Sequence, residues 1–277
     1  MPAAAMLAIA GAVVPSGEAI SSVAPLASTR SLYFGSVADL PLDLPEAAAS
    51  ALLAALDREG KIGRALEALG PIAGRDVLVV GAGSAERARL ASAGARVADV
   101  SLDVGRSIWP VPDSSADAVV SAWSGFRGVS PGELVEADRV LRPGGRLLVI
   151  HDYGRDDVSR LRGDLPEYGA WSRRDGPFVR NGFRIRVLHC FWTFDTIEAA
   201  AVFLGDAFGE AGRTLAAGLK RPRLTYNVAI YHRARGGRTA QETAERSADD
   251  ADEADGTPGV PAEVAGSQAL RSATAER

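Results

Sequence analysis

Short apolar segments alternate with amphipathic stretches through the middle of the chain. Four segments bounded by turn residues are predicted to be strands: 76–80, 96–100, 118–122 and 146–150. The stretches around them are predicted to be helices: one that begins at the Asp-Leu-Pro-Glu of 43–46, followed by 61–69, 84–93 and 131–141. Strands that are largely apolar on both faces and alternate with helices indicate a parallel sheet covered on both sides.

The order of elements changes after residue 150. A polar, arginine-rich stretch leads to Asn181-Gly182, and the chain then predicts a strand over 183–191, a helix over 196–208 and a last strand over 224–232. Two late strands separated by a helix suit an antiparallel edge or insertion. The predicted fold is therefore α/β: a Rossmann-like, doubly wound, mostly parallel sheet with helices on both faces and late antiparallel strands. Such sheets bind ligands at the carboxyl ends of their strands.

Both ends of the chain differ in composition from this middle part. Residues 1–30 form an alanine-rich leader whose apolar part, 3–14, has twelve residues and no preceding Lys or Arg. A membrane span needs about 20 apolar residues and a secretory signal begins with positive charge, so a flexible leader is expected. Residues 236–277 carry nine acidic and four basic side chains and no aromatic ones, which predicts a disordered acidic tail. The folded domain is predicted to span 31–235.

Charge and cysteine content exclude some classes of protein. The formal net charge of the 277 residues is −4, and without the acidic tail the remainder is close to neutral, which argues against a dedicated nucleic-acid binder. The single cysteine, Cys190, excludes an internal disulfide and fits a reducing compartment. We expect a cytoplasmic protein that contacts neither membrane nor nucleic acid. His189 and His232 stand alone, without further ligands at metal-binding spacing, so no metal is expected.

A glycine-rich turn follows the first predicted strand. Gly81-Ala82-Gly83 allows close approach of a ligand to the backbone, and the helix start behind it offers free N–H groups. A dinucleotide site would need Gly or Ala at position 86, where the chain has Glu86. Because a carboxylate there would repel a pyrophosphate, nicotinamide and flavin dinucleotides are disfavoured. A cationic nucleoside without phosphates meets no such objection.

Two further motifs strengthen this interpretation. Pro-Asp-Ser-Ser-Ala-Asp at 112–117 precedes one predicted strand, and Leu-Arg-Pro-Gly-Gly at 141–145 precedes the next. With the glycine turn, they resemble the class I S-adenosylmethionine-dependent methyltransferases over about residues 76–151. The resemblance implies S-adenosylmethionine as cofactor. It places Gly81, Ala82 and Gly83 at the methionyl part and Trp123 over the adenine or the acceptor, although core packing is an equal alternative for Trp123.

The chain also departs from that family's pattern. Val79 and Ala85 replace an acidic residue and the third glycine of the loop, and Ser101 stands where an acid usually holds the ribose. Asp99 and Asp103 share a face with Ser101 on a regular strand, so Asp103 could substitute. Only fifteen residues, 102–116, lead from that strand to Asp117, too few for the helix and third strand that the family usually places there. A shortened sheet is therefore predicted.

The expected catalytic groups follow the fourth and fifth strands of the family's sheet. His151, Asp152 and Tyr153 end the fifth, and His151 is the best candidate base because its usual pKa lies near neutrality. The alternative is that His151 only closes the strand end by a backbone hydrogen bond. The Asn/Asp-Pro-Pro-Tyr signature of amino-group methyltransferases is absent after the fourth strand. We therefore expect methyl transfer to oxygen or carbon of a small organic acceptor. The rival hypothesis is a catalytically inert methyltransferase-like module that binds a ligand or partner, and a nicotinamide-dependent oxidoreductase is a weaker third.

Overall fold

The computed structural model describes residues 40–81, 84–101 and 108–237. The predicted leader and the predicted tail from residue 238 onward lie outside these residues. The helices are α1 (Glu46–Ala55), α2 (Lys61–Leu69), α3 (Ser84–Ser92), α4 (Pro131–Val140), α5 (Asp157–Arg162), α6 (Pro177–Arg180) and α7 (Ile197–Ala217). The strands are β1 (Asp76–Val80), β2 (Arg96–Val100), β3 (Ala116–Ala122), β4 (Leu141–Asp152), β5 (Arg184–Thr193) and β6 (Arg223–Ala234).

The strands form one sheet with the order β2-β1-β3-β4-β6-β5. The first four strands are parallel, and β6 runs antiparallel to both β4 and β5. This arrangement confirms the predicted doubly wound sheet with late antiparallel strands. In the described part of the connection between β2 and β3, residues 108–115, there is no strand.

Alternate residues of the strands face two separate hydrophobic layers. Val77 and Val79 contact the layer that contains residues of α1, α2 and α7, whereas Leu78 and Val80 face the layer that contains α4. This alternation explains why β1 is apolar and buried at each position from Val77 to Val80. None of the described helices combines the length and the apolar character that crossing a bilayer requires.

Two elements depart in detail from the sequence prediction. Strand β4 starts at Leu141 because the Leu-Arg-Pro-Gly-Gly turn itself pairs with β3, Ala116 lying opposite Leu141 before a register shift. Helix α7 is broken at Gly209, whose φ of 58° and ψ of −130° are not helical, so its first segment ends where the sequence predicts and a second segment runs to Ala217. An added Cβ at Gly212 would lie 1.9 Å from the carbonyl oxygen of Leu204, so the second segment folds back on the first.

Helix α4 begins at a capping box that also fixes the preceding loop. Ser130 Oγ accepts from the backbone N–H of Glu133, whose carboxylate accepts from the backbone N–H of Ser130. Glu133 Oε1 additionally accepts from the backbone N–H of Phe126 at 2.7 Å. The start of α4 therefore anchors the loop that leaves the carboxyl end of β3.

Candidate functional site at the carboxyl ends of β1, β3 and β4

The strand order reverses beside β1, which has β2 on one side and β3 on the other. In open α/β sheets ligands bind outside the carboxyl ends of the strands at such a switch point. Strand β1 ends there at Gly81, whose φ of +69° favours glycine and whose N–H donates to the carbonyl of Val100 at 2.8 Å. Ala82 and Gly83, the other two residues of the predicted cofactor turn, lie outside the described residues.

The first turn of α3 brings a carboxylate close to this turn. Glu86 is only 3% exposed and forms an ion pair with Arg89, three residues further along the helix. A negative charge buried at this helix start would oppose a phosphate group, since the helix dipole is already compensated there. Glu86 thus lies at the start of α3, where the sequence analysis expects its carboxylate to repel the pyrophosphate of a dinucleotide.

The three predicted ribose contacts do not lie together in the described residues. Asp99 forms an ion pair with Arg87 of α3, with 3.0 Å between Oδ1 and Nη1, and both side chains are partly exposed. Ser101 is exposed immediately beyond the end of β2. Asp103 lies outside the described residues. Of the two candidates that the structure describes, Ser101 is therefore the one that lies just beyond the carboxyl end of β2.

The loop that follows β3 is strained. Trp123, Phe126 and Val129 adopt positive φ angles of 49°, 60° and 58°, although none of them is glycine. A left-handed conformation costs a side-chain-bearing residue about 1–2 kcal/mol, and it is unusual for a β-branched residue such as Val129. Strained residues of this kind cluster at binding and catalytic sites, where the surrounding structure holds them in place.

Hydrogen bonds tie this loop to the switch point. Ser124 Oγ donates to the carbonyl of Val80 at 2.8 Å, which joins the loop to the end of β1. The backbone N–H of Gly125 donates to Ser121 Oγ at 2.9 Å. These bonds, with that from Phe126 to Glu133, hold the strained loop 123–129 beside the Gly81 turn.

Trp123 itself lies inside the core. Its side chain belongs to the same hydrophobic layer as α1 and α7, and its ring stacks on Tyr226 with 6.5 Å between centroids. Its indole Nε1 donates to Asp152 Oδ1 at 3.0 Å. These contacts match the packing alternative for Trp123, while the strained backbone keeps this residue at the edge of the switch point.

His151 is buried at the carboxyl end of β4. Its Nε2 lies 3.1 Å from the carbonyl oxygen of Gly125, and its ring meets Trp171 edge to face at 4.9 Å between centroids. A carbonyl only accepts, so Nε2 carries the proton and Nδ1 keeps a lone pair, which has no hydrogen-bond partner among the described residues. Burial, helped by the nearby charge of Arg127, lowers the pKa of His151 to about 3. The imidazole is therefore neutral at physiological pH.

The side chains of Asp152 and Tyr153 make different kinds of contact. The Asp152 carboxylate is buried and accepts from Trp123, from the hydroxyl of Tyr226 and from the guanidinium of Arg162. Tyr153 is half-buried, and the Arg155 guanidinium lies 6.0 Å from its ring centroid. Asp152 thus holds β4, β6 and α5 together, and Tyr153 lies at the rim of this end of the sheet.

The arginine-rich connector between β4 and β5 contributes residues that the sequence analysis missed. Trp171 and Phe178 are buried against His151, and the buried carboxylate of Glu167 forms an ion pair with the more exposed Arg127. Seven of the eight arginines between residues 155 and 186 are exposed, whereas Arg162 is partly buried and binds Asp152. The aromatic residues among these arginines were the signal that part of this connector is core.

A cavity of about 340 Å³ opens at the opposite end of the sheet. It lies at the amino ends of β1, β2 and β3, and its lining includes Leu78, Ala98, Val111 and Ala116. Val111, Pro112 and Ser115, from the described part of the connection between β2 and β3, also line it. This cavity is distant from the strand ends that carry His151, so it does not belong to the candidate site.

Among the described residues, no three His, Cys, Asp or Glu side chains converge on a point that could hold a metal ion. Cys190 is buried in the core, and burial raises its pKa to about 12, so it remains a thiol. Neither feature adds a nucleophile or a metal to the candidate site.

The fold and the strand ends define an α/β protein of the Rossmann-like, doubly wound class. Comparison with protein-family models and with curated proteins finds no match. Among solved structures, the chain is similar to a candidate type II methyltransferase of Anaeromyxobacter dehalogenans, with 21% identity over 62% of this chain and 94% of that one and a TM-score of 0.43. It is also similar to an S-adenosylmethionine-dependent methyltransferase of Aquifex aeolicus, with 17% identity, 67% and 97% coverage and a TM-score of 0.41. A candidate methyltransferase of an antibiotic biosynthesis pathway in Anabaena variabilis shows 14% identity, 65% and 98% coverage and a TM-score of 0.42.

Proposed function

We propose that the chain binds S-adenosylmethionine at the switch point between β1 and β3 and transfers its methyl group to oxygen or carbon of a small organic acceptor. The observation that carries this proposal is the strained loop 123–129, bonded to the carbonyl of Val80 beside the Gly81 turn. Strain held in place at a topological switch point is what a preorganised ligand site requires.

The residues around the Gly81 turn suit a cofactor that is cationic and has no phosphates. Buried Glu86 disfavours an anionic ligand at the start of α3, and Gly81 leaves bare backbone at the end of β1. In this proposal Gly81, Ala82 and Gly83 lie along the methionyl part, and Ser101 with Asp103 binds the ribose. Asp99 would have to leave its ion pair with Arg87 to take part. The bound cofactor supplies an electrophilic methyl group on a sulfonium.

His151 has a positioning role in this proposal. The lone pair of its buried Nδ1 can accept a hydrogen bond from an acceptor hydroxyl, while Nε2–H stays on the carbonyl of Gly125. Because its pKa is so low, the imidazole orients the acceptor and does not store its proton at neutral pH. Access to Nδ1 requires Trp171 to move, since this indole packs against the ring. Tyr153 would contact the acceptor at the rim.

A specific observation favours the second candidate function, an inert methyltransferase-like binding module. His151 is enclosed by aromatic rings, and the carboxylate of Asp152 is engaged by three donors. A chain that keeps these groups for packing would bind a different ligand or a partner and would catalyse no methyl transfer.

Calorimetric titration of the full chain with S-adenosylmethionine, S-adenosylhomocysteine and NADH separates these functions. Micromolar binding of the first two supports the cofactor site. If none of the three binds, the inert module is favoured, and tight binding of NADH alone overturns the proposal. Gly83→Val should abolish cofactor binding because a branched side chain would occupy the approach path. Gly132→Val is the matched control, since nothing lies within 4 Å of a side chain at Gly132.

Binding without turnover is distinguished in a second step. Transfer of labelled methyl groups is measured over a panel of small hydroxy, carboxylic and enolic compounds, with the wild type and His151→Gln. A lower kcat with unchanged cofactor affinity in His151→Gln supports the positioning role. Equal rates of both proteins would show that this imidazole takes no part in the reaction.

A further inference from the structure

Four basic groups lie next to one another on one face of the antiparallel end of the sheet. Arg184 of β5 is directly opposite His232 of β6, and Arg186 lies two residues further along the same face. On the other side of β6, Leu148 of β4 is opposite His232, and Arg146, two residues before Leu148, shares its face. We call Arg146, Arg184, Arg186 and His232 the basic patch.

No described carboxylate neutralises the basic patch. Its three arginines are exposed, and none of them forms an ion pair within the part of the chain that the structure describes. Burial, helped by the charges of these three arginines, lowers the pKa of His232. The stem of Arg146 passes beneath Gly70 at the end of α2, where an added Cβ would lie 3.1 Å from the Cβ of Arg146. The packing of β4 against α2 thus fixes one side of the patch.

The chain carries an opposite charge a short distance further along. Residues 242–255 contain seven acidic side chains and one arginine. The described chain ends at Gly237, five residues after His232 of the patch. The five residues from Gly237 to Glu242 can span about 16 Å at about 3.3 Å per residue, so the acidic segment begins within reach of the patch.

We propose that the acidic segment 242–255 docks across the basic patch of the same chain. A short tether gives the segment an effective concentration of about millimolar, which favours it over free anions. Its carboxylates would supply the counter-charge that the three arginines lack. The contact is electrostatic and lies at a sheet surface, so it should weaken as the Debye length falls from about 10 Å at 0.1 M salt to about 3 Å at 1 M.

Paramagnetic relaxation in the full-length protein tests this contact. A nitroxide is attached at Ser247→Cys in a Cys190→Ala background, so that the label has a single attachment site. Docking should cause loss of the backbone amide signals of Arg184, Arg186 and His232, and the signals should return at about 1 M salt. The double variant Arg184→Glu/Arg186→Glu should restore the signals at low salt as well.

The matched control is Arg173→Glu/Arg174→Glu, which reverses two exposed arginines of the connector outside the patch. This variant should leave the signal loss unchanged. The proposal is overturned if the label leaves the patch signals intact, or if the control restores them as fully as the patch variant does. It is also overturned if an oligonucleotide shifts the patch signals while the label at position 247 does not affect them, because the patch would then serve a nucleic acid.

Discussion

The buried imidazole of His151 makes the stability of the protein depend on pH in a defined direction. In the unfolded chain this histidine takes up a proton near its usual pKa of 6.5, whereas in the folded chain its pKa is lowered to about 3. Its contribution is therefore fully present above pH 6.5 and is lost progressively as the pH falls toward about 3. His151→Gln removes the titrating group, and the glutamine amide can still donate to the carbonyl of Gly125.

The magnitude follows from the number of protons bound. Below pH 6.5 the unfolded chain binds one more proton at this site than the folded chain, which costs about 1.4 kcal/mol of unfolding free energy per pH unit. Between about pH 6.5 and about pH 5 the loss amounts to about 2 kcal/mol. Because His151 is fully buried, solvent screening does not reduce this figure.

Urea unfolding followed by tryptophan fluorescence at about pH 7.5 and about pH 5 measures the effect. The wild type should lose about 2 kcal/mol more between these values than His151→Gln does. His189→Gln, which alters an exposed histidine of β5, should keep the wild-type loss. The lowered pKa of His232 adds a loss of the same sign to all three proteins, so it cancels in the comparison. If His151→Gln loses as much stability as the wild type, the imidazole is not buried in its neutral form.

Further substitutions test other parts of the structure. Gly212→Ala should destabilise the fold by about 2–4 kcal/mol, because the added Cβ would lie 1.9 Å from the carbonyl oxygen of Leu204. The control is Gly63→Ala in α2, where the added Cβ has no neighbour within 4 Å and should stabilise the fold by about 0.5–1 kcal/mol. Thermal unfolding compares the two, and equal effects would contradict the packing at the α7 kink. Asp152→Asn should lower the free energy of unfolding by about 3–5 kcal/mol, because it leaves the charge of Arg162 without its buried partner. If urea unfolding shows no loss of stability, this carboxylate has no structural role.

The sheet could be predicted from the sequence because its signals are local. Strands β1 and β3 are short, mostly apolar runs next to turns, and Gly81 lies at the bend where glycine is required. The sequence predicts that late strands are antiparallel, but not that β6 lies between β4 and β5, because contacts distant in sequence decide which strands are neighbours. Gly209 ends the first segment of α7 as the sequence predicts, but the second helical segment up to Ala217 was not predicted.

The site was less predictable, because partners distant in sequence decide what each polar residue does. Asp152 follows a strand end, as a catalytic acid would, but Tyr226 and Arg162 occupy its oxygens. Asp99 lies on the predicted strand, but Arg87 binds it. No periodicity or spacing reveals such pairs, and only the aromatic residues of the connector indicated that the end of β4 is covered.

The loop 123–129 is strained and is held in place by hydrogen bonds to several elements. Its three non-glycine residues with positive φ cost about 3–6 kcal/mol together, and its hydrogen bonds join it to β1, β3, β4 and α4. One of these bonds comes from His151 and another ends on the carbonyl of Val80. A ligand that replaces the contact at Val80 would therefore act on the same loop that carries the hydrogen-bond partner of His151. The Gly81 turn and the imidazole of His151 are thus linked through this loop, so a ligand that binds at Gly81 should also change the environment of Trp171.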